Sequence, residues 1–289
     1  MLRAMLKEKA FVRTIEAVNG IEAIIAENTS FCDKNGNTKV FDALWLSGFT
    51  HAAFKGKADN GIFDINDKIS AVNDIFAVSS KPLLIDMDNG GTVEELCKNA
   101  AMLEALGVSA IVVEDKTGPK NNSLYGSEKL HIMEDADIFC DKIRSVKASL
   151  ATDDFLLFAR IESLIAGESI EKALLRAKKY LSAGADGIVI HSVKSNAEDI
   201  FAFAKAFKAT HPNIPLIFIP TAYNGFADTY LHQTGADIII YANQLMRSAF
   251  NAMQKTAMSI LQNGTSLFAD ENYCTAPKTI LNLIDGERQ

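Results

Sequence analysis

The run Ala183-Gly-Ala-Asp-Gly-Ile-Val-Ile-His191-Ser192 decides the fold of this chain. A glycine that can take the left-handed conformation ends a helix, and an apolar stretch too short for a helix follows as a buried strand. The same junction recurs as Gly107-Val-Ser-Ala-Ile-Val-Val113 and as Gly235-Ala-Asp-Ile-Ile-Ile240. Working outward, eight short runs rich in Val, Ile and Leu alternate with helix-period segments: Arg13 to Val18, Ala43 to Ser47, Leu83 to Asp86, Ala110 to Glu114, Leu156 to Ile161, Ile188 to His191, Leu216 to Ile219 and Ile238 to Tyr241. Strands that are apolar on both faces belong to a parallel sheet covered by helices. Between them Ile170, Ala173, Leu174, Ala177 and Leu181 form one apolar helical stripe, which leaves Lys172, Arg176 and Lys179 for the wet side.

Eight such units predict an α/β fold, a (β/α)8 barrel. The alternative is an open doubly wound sheet, but no G-x-G-x-x-G follows the first strand. The 289 residues exceed the ~250 of a typical barrel. Asn243 to Gln262 and Pro277 to Ile284 read as extra C-terminal helices, a tail from about residue 243 on a single domain spanning 1–289. The polar stretch Asn28 to Lys39 and the long Lys116 to Lys129 connection interrupt the alternation, and the second lies where a barrel carries a lid.

Composition narrows the function. A net charge of −7 excludes the general basic field of a nucleic-acid binder. No run approaches the ~20 apolar residues of a membrane span. Charged residues break up the first eighteen, so no secretory leader is read there. Cys32, Cys97, Cys140 and Cys274 are widely spaced and form no CxxC pair, which predicts a reduced cytoplasmic protein without a zinc knuckle or disulfide framework.

Barrel enzymes carry their chemistry at the C-terminal ends of the strands. Here those ends are polar: Trp45-Leu-Ser47-Gly48, Asp86-Met-Asp88-Asn-Gly-Gly91, Glu114-Asp-Lys116, Arg160-Ile-Glu162, His191-Ser192 and Asn243. Asp86 and Asp88, two apart on extended chain, face one side, and hard carboxylate oxygens suit Mg²⁺. The plainer alternative is that they cap the next helix. Arg160 ends a buried strand and needs an anion: a ligand, or a structural partner in Glu162 or Glu114. His191 reads either as a packed histidine or, with Arg160, as part of a phosphoryl or carboxylate site. The loop Glu114-Asp-Lys-Thr-Gly-Pro-Lys-Asn-Asn-Ser123 is a solvated polar loop or a lid that brings Lys116, Lys120, Asn121, Asn122 and Ser123 over an anion and shuts out water.

Together with Glu16-Ala-Val-Asn-Gly20, Gly56-Lys-Ala-Asp59, Pro220-Thr-Ala-Tyr223 and Tyr241-Ala-Asn243, these motifs cover most of the chain. They resemble the phosphoenolpyruvate mutase family of the isocitrate lyase superfamily. The E-D-K-x-x-x-K-x-N-S loop discriminates best, because the superfamily's carbon–carbon lyases carry a K-K-C-G-H type motif there. The resemblance implies a Mg²⁺-dependent interconversion of phosphoenolpyruvate and phosphonopyruvate, with phosphonopyruvate hydrolysis or carbon–carbon lysis as the alternatives. It implies metal positions at Asp86, Asp88 and Glu114, and substrate contacts at Trp45, Ser47, Gly48 and Ser123. Catalytic positions would be Asp59, Lys120, Asn122, Arg160 and His191. It further implies a homo-oligomer, dimer or tetramer, that swaps its terminal helix between subunits. Three positions depart from the family pattern: Val18 for histidine, Ala58 for arginine, and Asn89-Gly90-Gly91 for T-G-Y-G.

Overall fold

The computed structural model describes residues 1–61, 64–118 and 120–285. Eight parallel strands close into a barrel: β1 (Val12–Glu16), β2 (Ala43–Leu46), β3 (Leu83–Asp86), β4 (Ala110–Glu114), β5 (Leu156–Ile161), β6 (Gly187–Ile190), β7 (Leu216–Phe218) and β8 (Ile238–Tyr241). Each pairs in parallel with the next, and Thr14 opposite Ile240 completes the ring. Four of the predicted strands keep their predicted limits, and the others differ by a residue or two at their ends. At the three glycine junctions Gly107, Gly184 and Gly235 have φ of 89°, 110° and 123°. These are left-handed conformations that a Cβ would strain, which explains why the repeat is visible in the sequence.

Strand parity divides the barrel into inside and outside. Val12, Trp45, Leu84, Val112, Phe158, Val189, Ile217 and Ile240 form one buried cluster in the barrel interior. The helix Leu2–Glu8 adds Leu2, fully buried, with Met5 and Leu6 packed against the same cluster. The residue two steps beyond each inward apolar side chain points the same way at the mouth. Leu84 leads to Asp86, Val112 to Glu114, Phe158 to Arg160 and Val189 to His191.

The segment Asn28 to Lys39 is a hairpin, Ser30–Cys32 against Thr38–Val40, whose turn is held by Asp33 Oδ1 accepting from the amides of Asn35 and Asn37 at 2.9 Å each. The long connection after β4 folds too. Lys116–Thr117 pairs with Ile132–Met133, and Ser123–Glu128 is a 3₁₀ segment. Arg176 corrects a reading of the helix Ile170–Ser182: it is not on the wet side. Its Nη1 donates to Glu134 O at 2.9 Å and lies 3.3 Å from Asp115 Oδ2, because Tyr180, four residues on, shares that buried carboxylate.

The chain divides into two compact units, Met1–Ala242 and the residues from Asn243 onward. The second contains helices Gln244–Asn263, Leu267–Asn272 and Pro277–Ile284, of which the short middle one has no clear stripe in the sequence. No described helix is long and apolar enough to cross a membrane.

Candidate active site

The mouth residues form one continuous polar network. Ser47 caps the helix Gly48–Phe54, its Oγ accepting from Thr50 N, and Gly48 N donates to Asp86 Oδ2 at 3.4 Å. A side chain at Gly48 would crowd the site: a Cβ there would stand 3.0 Å from Asp88 Oδ1, 3.3 Å from Asp86 Oδ2 and 3.6 Å from Lys120 Nζ. Asp88 sits in a left-handed turn, φ 52°, that folds its carboxylate back beside Asp86. Neither aspartate caps the following helix, Val93–Ala105. Thr92 and Glu95 do that as a capping box.

The loop after β4 lies over this edge. Lys120 Nζ donates to Asp88 Oδ1 at 2.5 Å and to Asp59 Oδ1, and Asn122 Nδ2 donates to Asp59 Oδ2 at 2.5 Å. Ser123 reaches the opposite wall, where its Oγ accepts from Lys116 Nζ at 2.8 Å and from Arg160 Nη2 at 3.0 Å. Arg160 Nε donates to Glu162 Oε1 at 2.5 Å, Nη2 lies 3.0 Å from His191 Nδ1, and Glu114 is 3.7 Å away. Nη1 stands 4.0 Å from Asp86 Oδ2, beyond hydrogen-bond reach, and is the guanidinium nitrogen left to meet an anion. The two readings of Arg160 are thus combined: it has a structural partner in Glu162 and still faces the mouth.

The structure connects the predicted site residues except Ser47, whose side chain only caps its own helix, and Trp45, which belongs to the interior cluster on the strand face that leads to Ser47. Three further residues without an assigned role join the site: Lys68, which was not anticipated, Lys116, expected only among the loop's donors, and Glu162, expected only as a structural partner of Arg160. Lys68, 3 % exposed on the helix Ile65–Phe76, donates to the Asp86 main-chain oxygen. Lys116 lies 3.4 Å from both Glu114 and Glu162. Glu162 is fully buried and touches four other side chains. Its signal in the sequence was its position two residues after Arg160 on one strand face; Lys68 gave none, since only tertiary contact brings that helix to β3. A cavity of about 380 Å³ adjoins Gly48, Asp59, Lys68 and Asp88, within the range of small-molecule sites.

Burial raises the proton affinity of Asp86, Asp88 and Glu114, and the neighbours decide the outcome. For Asp86 burial is outweighed by Arg160, Lys120 and Lys68, which hold its carboxyl below the usual range. Asp88 stays above it through burial and repulsion from Asp86. Glu114 is pushed up to about 7 by burial, which Arg160 and Lys116 only partly offset. Burial and then the Arg160 guanidinium depress His191, so its ring is neutral.

The residues fit a magnesium ion. Asp86 and Asp88 direct oxygens at the space that Gly48 leaves open, and the raised proton affinities of Asp88 and Glu114 mark negative charge that a cation would relieve. Among the described residues no three Asp, Glu, His or Cys side chains close a cage. A Mg²⁺ ion, which retains waters and takes substrate oxygens, does not require one.

Fold and mouth together define a barrel whose strand ends gather charged and polar side chains beneath a folded loop. A family model described as phosphoenolpyruvate phosphomutase matches residues 2–261, and the chain belongs to that family, within the phosphoenolpyruvate mutase/isocitrate lyase superfamily. It is 33% identical over 267 residues to phosphonopyruvate hydrolase of Variovorax sp. (strain Pal2), covering 91% of this chain and 87% of the relative. It is 31% identical over 265 residues to phosphoenolpyruvate phosphomutase of Tetrahymena pyriformis, covering 91% and 83%. A crystal structure of phosphonopyruvate hydrolase in complex with oxalate and Mg²⁺ superposes with a TM-score of 0.85 at 30% identity, covering 99% of this chain and 94% of the other.

Proposed function

We propose that the chain is an isomerase that interconverts phosphoenolpyruvate and phosphonopyruvate, forming the carbon–phosphorus bond with which phosphonate biosynthesis begins. The observation that carries this reading is the loop docked across the mouth, with Asn122 and Lys120 on Asp59 and Ser123 against Arg160. Phosphoryl transfer through a loose, metaphosphate-like state asks the protein to position groups and stabilise charge. A closed, dry mouth keeps water from intercepting the group in flight.

Asp86 would hold Mg²⁺, with Asp88 and Glu114 supporting its waters. When bound, the ion supplies positive charge to the pyruvate oxygens. The Ser47/Gly48 backbone meets the pyruvate end, above Trp45. Arg160 Nη1 and neutral His191 bind the phosphoryl oxygens, and Asn122 guides the group between oxygen and carbon. Hydrolysis of phosphonopyruvate is the second reading, favoured by the similarity to the Variovorax enzyme. It needs the same residues and a loop that admits water. Lyase chemistry lacks its loop cysteine here, where Lys116-Thr-Gly118 and Lys120-Asn-Asn-Ser123 stand. We propose a homo-oligomer assembled through the C-terminal helices, which expose Phe250, Met253, Leu261 and Leu281.

Phosphorus NMR of the purified protein with Mg²⁺ and phosphonopyruvate tests the reading. Phosphoenolpyruvate appearing is the expected result. Free phosphate with pyruvate replaces mutase by hydrolase, and no turnover removes both.

A further inference from the structure

We infer that Glu162 is a positioning residue: one carboxylate fixes the proton of His191 on Nδ1 and latches Ser123 of the loop, so that closing the loop and aiming Arg160 are a single event. Both oxygens are used. Oε1 accepts from Arg160 Nε at 2.5 Å and lies 3.1 Å from His191 Nδ1. Oε2 accepts from Ser123 Oγ at 2.5 Å, with Lys116 Nζ 3.4 Å away. The residue is fully buried, and its own amide donates to Asp115 Oδ1 at 2.9 Å. Asp115 in turn accepts from Tyr180 OH at 2.7 Å. The Glu162 main chain is thus anchored by a second buried carboxylate, and its side chain meets the reacting side of the barrel through Arg160, His191, Ser123 and Lys116.

The tautomer follows from donor counting. His191 Nδ1 is 3.0 Å from Arg160 Nη2 and 3.1 Å from Glu162 Oε1, and it cannot both accept from the first and donate to the second. A bare Nδ1 would set a ring lone pair against an ionised oxygen. A protonated Nδ1 satisfies that oxygen, and Nη2 keeps its bond to Ser123 Oγ. The second arrangement leaves Nε2 as an acceptor and makes the ring's orientation depend on Glu162. Because Ser123 sits on the other oxygen, a loop that lifts away removes a donor from the carboxylate that orders Arg160 and His191.

The test uses the full chain with ¹⁵N-labelled histidine, and His191→Asn assigns the ring signals. The expected wild-type ring is neutral with its proton on Nδ1. Glu162→Met, which offers no acceptor, moves the proton to Nε2, and Glu162→Gln, which keeps one, restores it to Nδ1. Ser123→Ala leaves the ring signals in place but speeds hydrogen exchange across the 116–129 loop with Mg²⁺ and oxalate present, as does Glu162→Met. A wild-type proton on Nε2, ring signals unmoved in Glu162→Met, or loop exchange unmoved in either variant overturns the inference. Should Glu162→Met not fold, Ser123→Ala and Glu162→Gln carry the loop and ring arms alone. The kinetic arm rests on the mutase reading: kcat on phosphonopyruvate falls about 100-fold in Glu162→Met with KM moved far less. A wild type inactive on that substrate sinks the mutase and leaves the ring and exchange results to judge Glu162.

Discussion

Replacing Lys120 by Met removes the cation that ties the loop to the mouth and keeps a side chain of similar length. In the folded protein Lys120 donates to Asp59 and Asp88, and its side chain is 9 % exposed. Its proton is held firmly, because Asp88, Asp86 and Asp59 outweigh the cost of burial. A hydrogen bond to a charged partner contributes roughly 1.5–3 kcal/mol, so two contribute about 3–6 kcal/mol to the closed loop. The lower end applies, since both carboxylates regain water once the loop opens and Asn122 still holds Asp59. A loss of about 3 kcal/mol shifts the closed population by about 100-fold. The assay is phosphorus NMR on phosphonopyruvate with Mg²⁺, integrating phosphoenolpyruvate against free phosphate over time, beside a thermal melt. Turnover should drop by about 100-fold, part of the remainder should end as free phosphate, and Tm should hardly move, because the change opens a loop and spares the core. A variant within about threefold of wild type, with no phosphate released, refutes the claim that the loop shields the reaction.

Glu22 gives a pH prediction. Burial and then the nearby Glu16 push it up to about 7 from an ordinary 4.5. The folded state therefore holds a proton that the unfolded chain has lost. Its contribution is present in full below pH about 4.5, fades as pH rises through about 7, and amounts to about 3 kcal/mol. Glu22→Gln is neutral throughout and retains an acceptor for Val18 N, so urea denaturation at pH 5 and pH 8 should show the wild type losing more stability than the variant; equal losses dismiss the effect. Gly187→Ala should cost about 1–3 kcal/mol by overpacking, since its Cβ would stand 2.6 Å from Pro215 O and 3.0 Å from the Phe158 ring; an unchanged Tm would show that β6 and β7 part freely. Asp86→Asn should abolish both turnover and the rise in Tm that Mg²⁺ brings to the wild type, and a variant still stabilised by Mg²⁺ would move the metal elsewhere.

The barrel was legible because two patterns mark it: apolar strands that end in polar residues of the same parity, and glycines where three of the helices turn back. The site was legible as far as it lies on strand ends. Asp86, Glu114, Arg160 and His191 each stand two residues beyond an inward apolar side chain, and the structure joins them. Lys68 was not legible, since a lysine in an amphipathic helix looks like a solvated one until β3 packs against it. Arg176 misled for the same reason in reverse: nothing local shows that Asp115 and Tyr180 wait beside it. The loop's acidic and basic residues could be read as a lid, but which carboxylate each would meet depends on a fold that brings Asp59 and Glu162 to opposite walls.

The helix Leu2–Glu8 closes the floor of the barrel with Leu2, and Arg3 fastens it to Asp186 at 2.8 Å. Met1, 64 % exposed, leaves the molecule on the side away from the mouth. An affinity handle or surface linkage placed ahead of it would therefore tether the enzyme by its base with the entrance facing solution. A handle on the loop side would stand in the substrate's path.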